Sequence, residues 1–145
     1  MRFKRGEGTV VWEEHLSNID PSVIIGKNCR IHSNVWIGEF VVIGDNVKIQ
    51  ALTFIPNGVI IENDVFIGPG VVFTNDKHPP SQGKGWSQTF VRRGAVIGAN
   101  ATILPGLEIG EDATIGAGSV VTKSVGKGQT VVGNPARLIQ KKNSV

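Results

Sequence analysis

The chain has 145 residues, 15 Lys and Arg against 12 Asp and Glu, and a formal net charge of only +3; that is the length of one domain, and so small and scattered a charge makes no nucleic-acid footprint. One cysteine excludes an internal disulfide, and no apolar run approaches the ~18 residues a membrane helix needs. The start, Met1–Glu14, is charged and carries no signal-like apolar stretch, so the expectation is a cytoplasmic protein whose partners include neither a membrane nor nucleic acid.

From Ile19 onward a large apolar residue returns every six positions: Ile19, Ile25, Ile31, Ile37, Ile43, Ile49, Ile55, Ile61, Ile67 and Phe73, then Val91, Ile97, Ile103, Ile109, Ile115 and Val121. Neither a 3.6-residue helix nor simple strand alternation gives this beat. A fixed six-residue repeat is the mark of a parallel β-helix. Two residues before the beat usually sits a small or β-branched residue, such as Val23, Cys29, Val65, Ala95 and Ala113, with Leu107 the larger exception. Each unit is therefore a short strand with two residues facing inward. Three residues after the beat come Asn28, Asn34, Asn46, Gly58, Asp64, Gly70, Asp76, Gly94, Asn100, Gly106, Asp112 and Gly118, types that turn the chain through positive φ at low cost. Phe40 and Leu52 break that rule, and their turns are expected to differ.

Three units make a triangular coil of about eighteen residues, so the beat predicts an all-β solenoid of about five coils. Residues 1–145 form a single domain of this kind with a short C-terminal tail. Cys29 falls in an inward slot and reads as a packing thiol. Flat faces and open ends without a capping helix call for an oligomer.

The beat breaks once. Continued through 74–90 it puts Pro79 and Gly85 in core slots that neither can fill, so the chain leaves the solenoid as a protruding loop. Loops on rigid scaffolds carry function. His78 is the candidate general base, and Asn75, Asp76 and Trp86 are candidate substrate contacts. Each also has a plainer reading: Asp76 as a turn carboxylate, His78-Pro79 as a turn, Trp86 as an anchor. His15 and His32 read as surface residues. Basic residues gather late in the chain at Lys123, Lys127, Arg137, Lys141 and Lys142, as a solvated tail or as fixed charge for a phosphorylated ligand.

The repeats, together with Gly94–Ile103, Ile115–Lys123 and Gly133-Asn134-Pro135-Ala136-Arg137, resemble the hexapeptide-repeat acyltransferases. The segments Glu62–Gly70, Phe73–Asp76 and Trp86–Asn100 look like the N-acetyltransferases of nucleotide-linked amino sugars. His78-Pro79 is instead similar to a stretch of the sugar O-acetyltransferases in which the histidine is the base. The resemblance implies a left-handed coil and a homotrimer with its sites between subunits. It also implies acetyl-CoA as co-substrate, with no metal. Gly98, Ala99, Gly116 and Ala117 would then meet the pantetheine arm, and Lys123, Arg137 and Lys141 the phosphates, with Asn134 and Pro135 nearby. The function expected is N-acetylation of a nucleotide-linked amino sugar. Sugar O-acetylation is the alternative and a non-catalytic scaffold the second. A metal hydratase of the γ-carbonic-anhydrase kind needs three converging histidines, whereas His15, His32 and His78 lie 17 and 46 residues apart.

Overall fold

The protein, described by a computed structural model over residues 2–139, is a parallel β-helix of two-residue strands wound into three flat faces. The first face stacks Lys4–Arg5, Ile24–Ile25, Val42–Ile43, Ile60–Ile61, Phe90–Val91 and Glu108–Ile109. The second runs from Val10–Val11 through Arg30–Ile31, Lys48–Ile49, Phe66–Ile67 and Val96–Ile97 to Thr114–Ile115. It ends in a hairpin of Thr130–Gly133 and Ala136–Leu138. The third face holds Asn18–Ile19, Trp36–Ile37, Phe54–Ile55, Val72–Phe73, Thr102–Ile103 and Val120–Val121. Each face is followed by an edge of the same ordinal number, where the chain turns.

The beat residues build the core. From Ile25 to Val121 every one is buried, and like stacks on like, as in Ile31–Ile49–Ile67–Ile97–Ile115. Each such aliphatic side chain contributes about 1.5–3 kcal/mol of burial. Cys29 is buried as expected; its Sγ lies 3.1 Å from the Gly44 carbonyl oxygen, and burial pushes the thiol pKa up.

The coil count departs from the expectation of about five. Six complete coils are present, with part of a seventh. The first coil lies out of phase because a 3-10 turn at Glu14–Leu16 inserts two residues, so Val11 pairs with Ile31 across twenty positions rather than eighteen. At the other end the connection is short: Val125 bridges Ile109 and Val131 pairs with Ile115. A fixed six-residue frame sees neither end.

A second correction concerns the turns. Phe40 (φ 59°) and Leu52 (φ 64°) adopt the same left-handed conformation as Asn34 (φ 60°) and Asn100 (φ 60°). The ladder decides this: the N–H of Gly58 bonds to the Glu39 carbonyl at 2.9 Å, and that of Gly70 to the Ala51 carbonyl at 3.0 Å. The stack above and below fixes the turn whatever the residue. Asp76 is the converse case, a turn-type residue without a positive φ, because the loop has already begun.

Candidate active site

The loop leaves the third edge after Phe73 and returns at Phe90. Its root is tied down by Thr74, whose N–H and hydroxyl both reach the Ile103 carbonyl at 3.0 Å. Asp76 and Trp86 form an antiparallel bridge, and the Ser87 N–H bonds to the Asn75 carbonyl at 2.7 Å. The carboxylate of Asp76 organises the rest. Its Oδ1 accepts from the His78 N–H at 3.1 Å and its Oδ2 from the Ser81 N–H at 2.9 Å.

Those bonds, the Ser81 backbone foremost, hold the Asp76 carboxyl below its usual range. The Asp76 carboxylate thus accepts two backbone N–H groups of its own loop, as a turn carboxylate does. Asp76→Ala is expected to raise proteolytic cleavage between residues 77 and 85 several-fold while leaving the melting temperature nearly unchanged, since the loop supplies no core residue between 74 and 88. Because the folded-state pKa is lowered, this support is complete above the ordinary aspartate range. It is lost as pH falls through the depressed value.

His78 is exposed, and its ring makes no hydrogen bond or ion pair among the described residues. Asn75 is half-buried beside it in sequence, its side-chain amide likewise unbonded among the described residues. Trp86 is 49% exposed. With Ser87 and Gln88 it borders an open depression of about 360 Å³ whose other wall is the third edge of two earlier coils: Glu39, Phe40, Asn57 and Gly58.

The remaining candidates gather mainly on the second edge. Gly98-Ala99 and Gly116-Ala117 are stacked one coil apart, and the hairpin tip at Asn134-Pro135 closes the column, with the Gly133 N–H on Ser119 Oγ at 3.1 Å. Glycine here answers first to packing. A Cβ on Gly98 would lie 2.6 Å from the Ala117 nitrogen, and one on Gly116 would lie 2.5 Å from Val132 Cγ1.

The alanines carry the chemical signal. At three other corners the N–H after the glycine is capped by a side chain in the next coil: Lys27 by Asp45 Oδ1 at 2.8 Å, Asp45 by Asn63 Oδ1 at 2.7 Å and Glu39 by Asn57 Oδ1 at 2.8 Å. Above Ala99 stands Ala117, which has no acceptor, and among the described residues neither alanine N–H has a partner. This edge therefore offers two backbone donors, 18 residues apart, with no side-chain acceptor over them.

Lys123 lies past the third face, on the edge that bears the loop, and is exposed. Arg137 is exposed on the terminal hairpin opposite Val132, with Nη1 on the Ala136 carbonyl at 3.1 Å. Lys141 and Lys142 lie outside the described residues. Within one chain, then, the loop and the alanine edge stand on opposite borders of the third face. His15 is exposed, and His32 stacks on Trp12 at 4.7 Å. Among the described residues no group of three or more His, Cys, Asp or Glu is placed to hold a metal ion, and no helix is long and apolar enough to cross a membrane.

Comparison with known proteins agrees with the solenoid. A family model described as bacterial transferase hexapeptide (six repeats) matches residues 40–75 and 89–123, and one described as the hexapeptide repeat of succinyl-transferase matches 22–55. A serine acetyltransferase of Buchnera aphidicola is 48% identical over 65 residues, 43% of this chain and 24% of that protein. A dTDP-3-amino-3,6-dideoxy-alpha-D-galactopyranose 3-N-acetyltransferase of Aneurinibacillus thermoaerophilus is 49% identical over 53 residues, 37% of this chain and 28% of that protein. The matches thus span about a quarter of these relatives' length. Among solved structures, a point mutant of AntD, an N-acyltransferase from Bacillus cereus in complex with dTDP and coenzyme A, superposes with a TM-score of 0.86. It is 24% identical, over 98% of this chain and 85% of that one. The hexapeptide matches and the six-coil solenoid together make this chain a member of the hexapeptide-repeat transferase family.

Proposed function

We propose that the chain is an acetyl-CoA-dependent acetyltransferase that N-acetylates an amino sugar carried on a nucleotide. One observation carries the reading: the uncapped N–H groups of Ala99 and Ala117 along the second edge. A pantetheine arm is a chain of amides, and it needs backbone donors that small side chains leave approachable. Lys123 and Arg137 supply fixed positive charge for the phosphates. The dTDP-amino-sugar acetyltransferase among the relatives and the dTDP- and CoA-bound AntD support the acceptor class.

Acetyl-CoA supplies an acyl group already activated as a thioester, so no covalent enzyme intermediate is required. The acceptor lies along the loop beside Asn75, with Trp86 closing over it. Its amine attacks the thioester carbonyl, the C–N bond forms as the C–S bond breaks, and His78 accepts the proton. The loop and the alanine edge flank the third face from opposite sides, so His78 of one subunit serves the edge of a neighbour. A homotrimer with sites between subunits fits that need. Transfer to a hydroxyl is the second reading, favoured by the exposed imidazole of His78, which a hydroxyl acceptor needs more than an amine does.

Amide hydrogen exchange with and without coenzyme A tests the carrying observation. Protection is expected at Ala99 and Ala117, with none at the already capped Lys27 and Glu39. Unchanged exchange at both alanines would overturn the reading.

A further inference from the structure

Phe40 is the most misplaced residue of the solenoid by local rules. It sits at φ 59° in a slot held elsewhere, Leu52 apart, by Asn, Asp or Gly, and it is 68% exposed. An aromatic side chain gains nothing for folding by projecting into water, and its Cβ opposes the left-handed backbone. Strain retained without a folding return points to a task.

Its surroundings suggest which. Phe40 and Trp86 border the same open depression of about 360 Å³, near the lower end of the range for ligand sites. Neither ring stacks on another aromatic ring among the described residues, whereas Trp36 and Phe54 stack at 5.0 Å. The rest of the depression is lined by Asn57, Gly58, Ser87, Gln88 and Glu39. Asn57 has spent its Oδ1 on the Glu39 N–H, which leaves its NH₂ to donate. Gln88 brings an amide and Glu39 a carboxylate. Flat apolar walls with edge-on donors and acceptors suit a planar heterocycle whose rim alternates C=O and N–H. A carboxylate on the rim disfavours an anion there, so the phosphates lie outside.

We propose that this depression is the nucleobase slot, with a pyrimidine imide stacked between Phe40 and Trp86 and read by Asn57, Gln88 and Glu39. The assignment rests on the nucleotide-linked acceptor of the proposed function and adds the residues that select the nucleotide.

The experiment is calorimetric titration of the oligomeric protein with dTDP, comparing wild type, Phe40→Gly and Leu52→Gly. Glycine suits the backbone at both positions, so both variants are expected to melt no lower than wild type. Base–aromatic stacking is worth about 1–3 kcal/mol, so Phe40→Gly should weaken dTDP binding about 5- to 150-fold. Leu52→Gly relaxes a similarly strained turn (φ 64°) away from the depression and should bind as wild type does. Equal dTDP affinity in Phe40→Gly and wild type overturns the slot, including the case in which Phe40→Gly instead changes the sedimentation of the oligomer. Absence of wild-type binding to dTDP also overturns it. Thiol release from acetyl-CoA with other acceptors then decides separately whether acyl transfer stands.

Discussion

Replacing His78 with alanine should lower kcat about 10²–10⁴-fold, the usual worth of a positioned general base. The melting temperature should not move, because His78 is exposed and its ring holds nothing in place. KM for acetyl-CoA should stay within about twofold, since the imidazole belongs to the acceptor side. Proton removal is the step lost, so raising the pH should recover part of the rate with an amine acceptor, whose own deprotonation then does the work. A hydroxyl acceptor has no such rescue. Near-normal turnover of the variant would strip His78 of its role and leave a substrate amine acting unaided.

Ala117→Asn is the second large effect, and it separates binding from stability. Three corners of this solenoid already seat an Asp or Asn oxygen over a corner N–H, each above a glycine that leaves it room: Gly26, Gly44 and Gly38. Gly98 leaves the same room below Ala117. Asparagine there should cap the Ala99 N–H as Asn63 caps Asp45, so the variant should be at least as stable as wild type. It should also occupy the edge that the pantetheine arm needs. KM for acetyl-CoA should rise about tenfold or more, from one or two lost backbone hydrogen bonds and the added bulk. A stable variant with unchanged KM would move the coenzyme elsewhere.

The solenoid was largely legible because its information is periodic. A core of stacked Ile and Val needs the same residue at the same phase in every coil, and the turns need the same few residue types. Legibility ended where phase did. The two residues inserted around Glu14–Leu16 concealed the first coil, and the short link to Val125 concealed the last. Phe40 and Leu52 were misread for a related reason: composition proposes a turn, but the hydrogen-bonded neighbours above and below impose it.

The loop was legible as a loop because Pro79 and Gly85 cannot fill core slots. What its side chains do was not. The capture of Asp76 by the His78 and Ser81 backbone depends on how the irregular residues between 74 and 88 fold back, and no period records that. The alanine edge was visible as small residues. Its meaning came only from the contrast with the capped corners at Lys27, Glu39 and Asp45. The wall opposite Trp86 could not be foreseen at all, because Phe40 is 46 residues away and meets it only through the stacking of coils.

The most direct test of the central claim is release of free thiol from acetyl-CoA in the presence of dTDP-linked 3-amino and 4-amino sugars, with free galactosides and maltose as hydroxyl acceptors. Saturable thiol release with an amino sugar, and an amide-linked acetyl group in the product, are expected. Release only with the hydroxyl acceptors, or none with any acceptor, would contradict it.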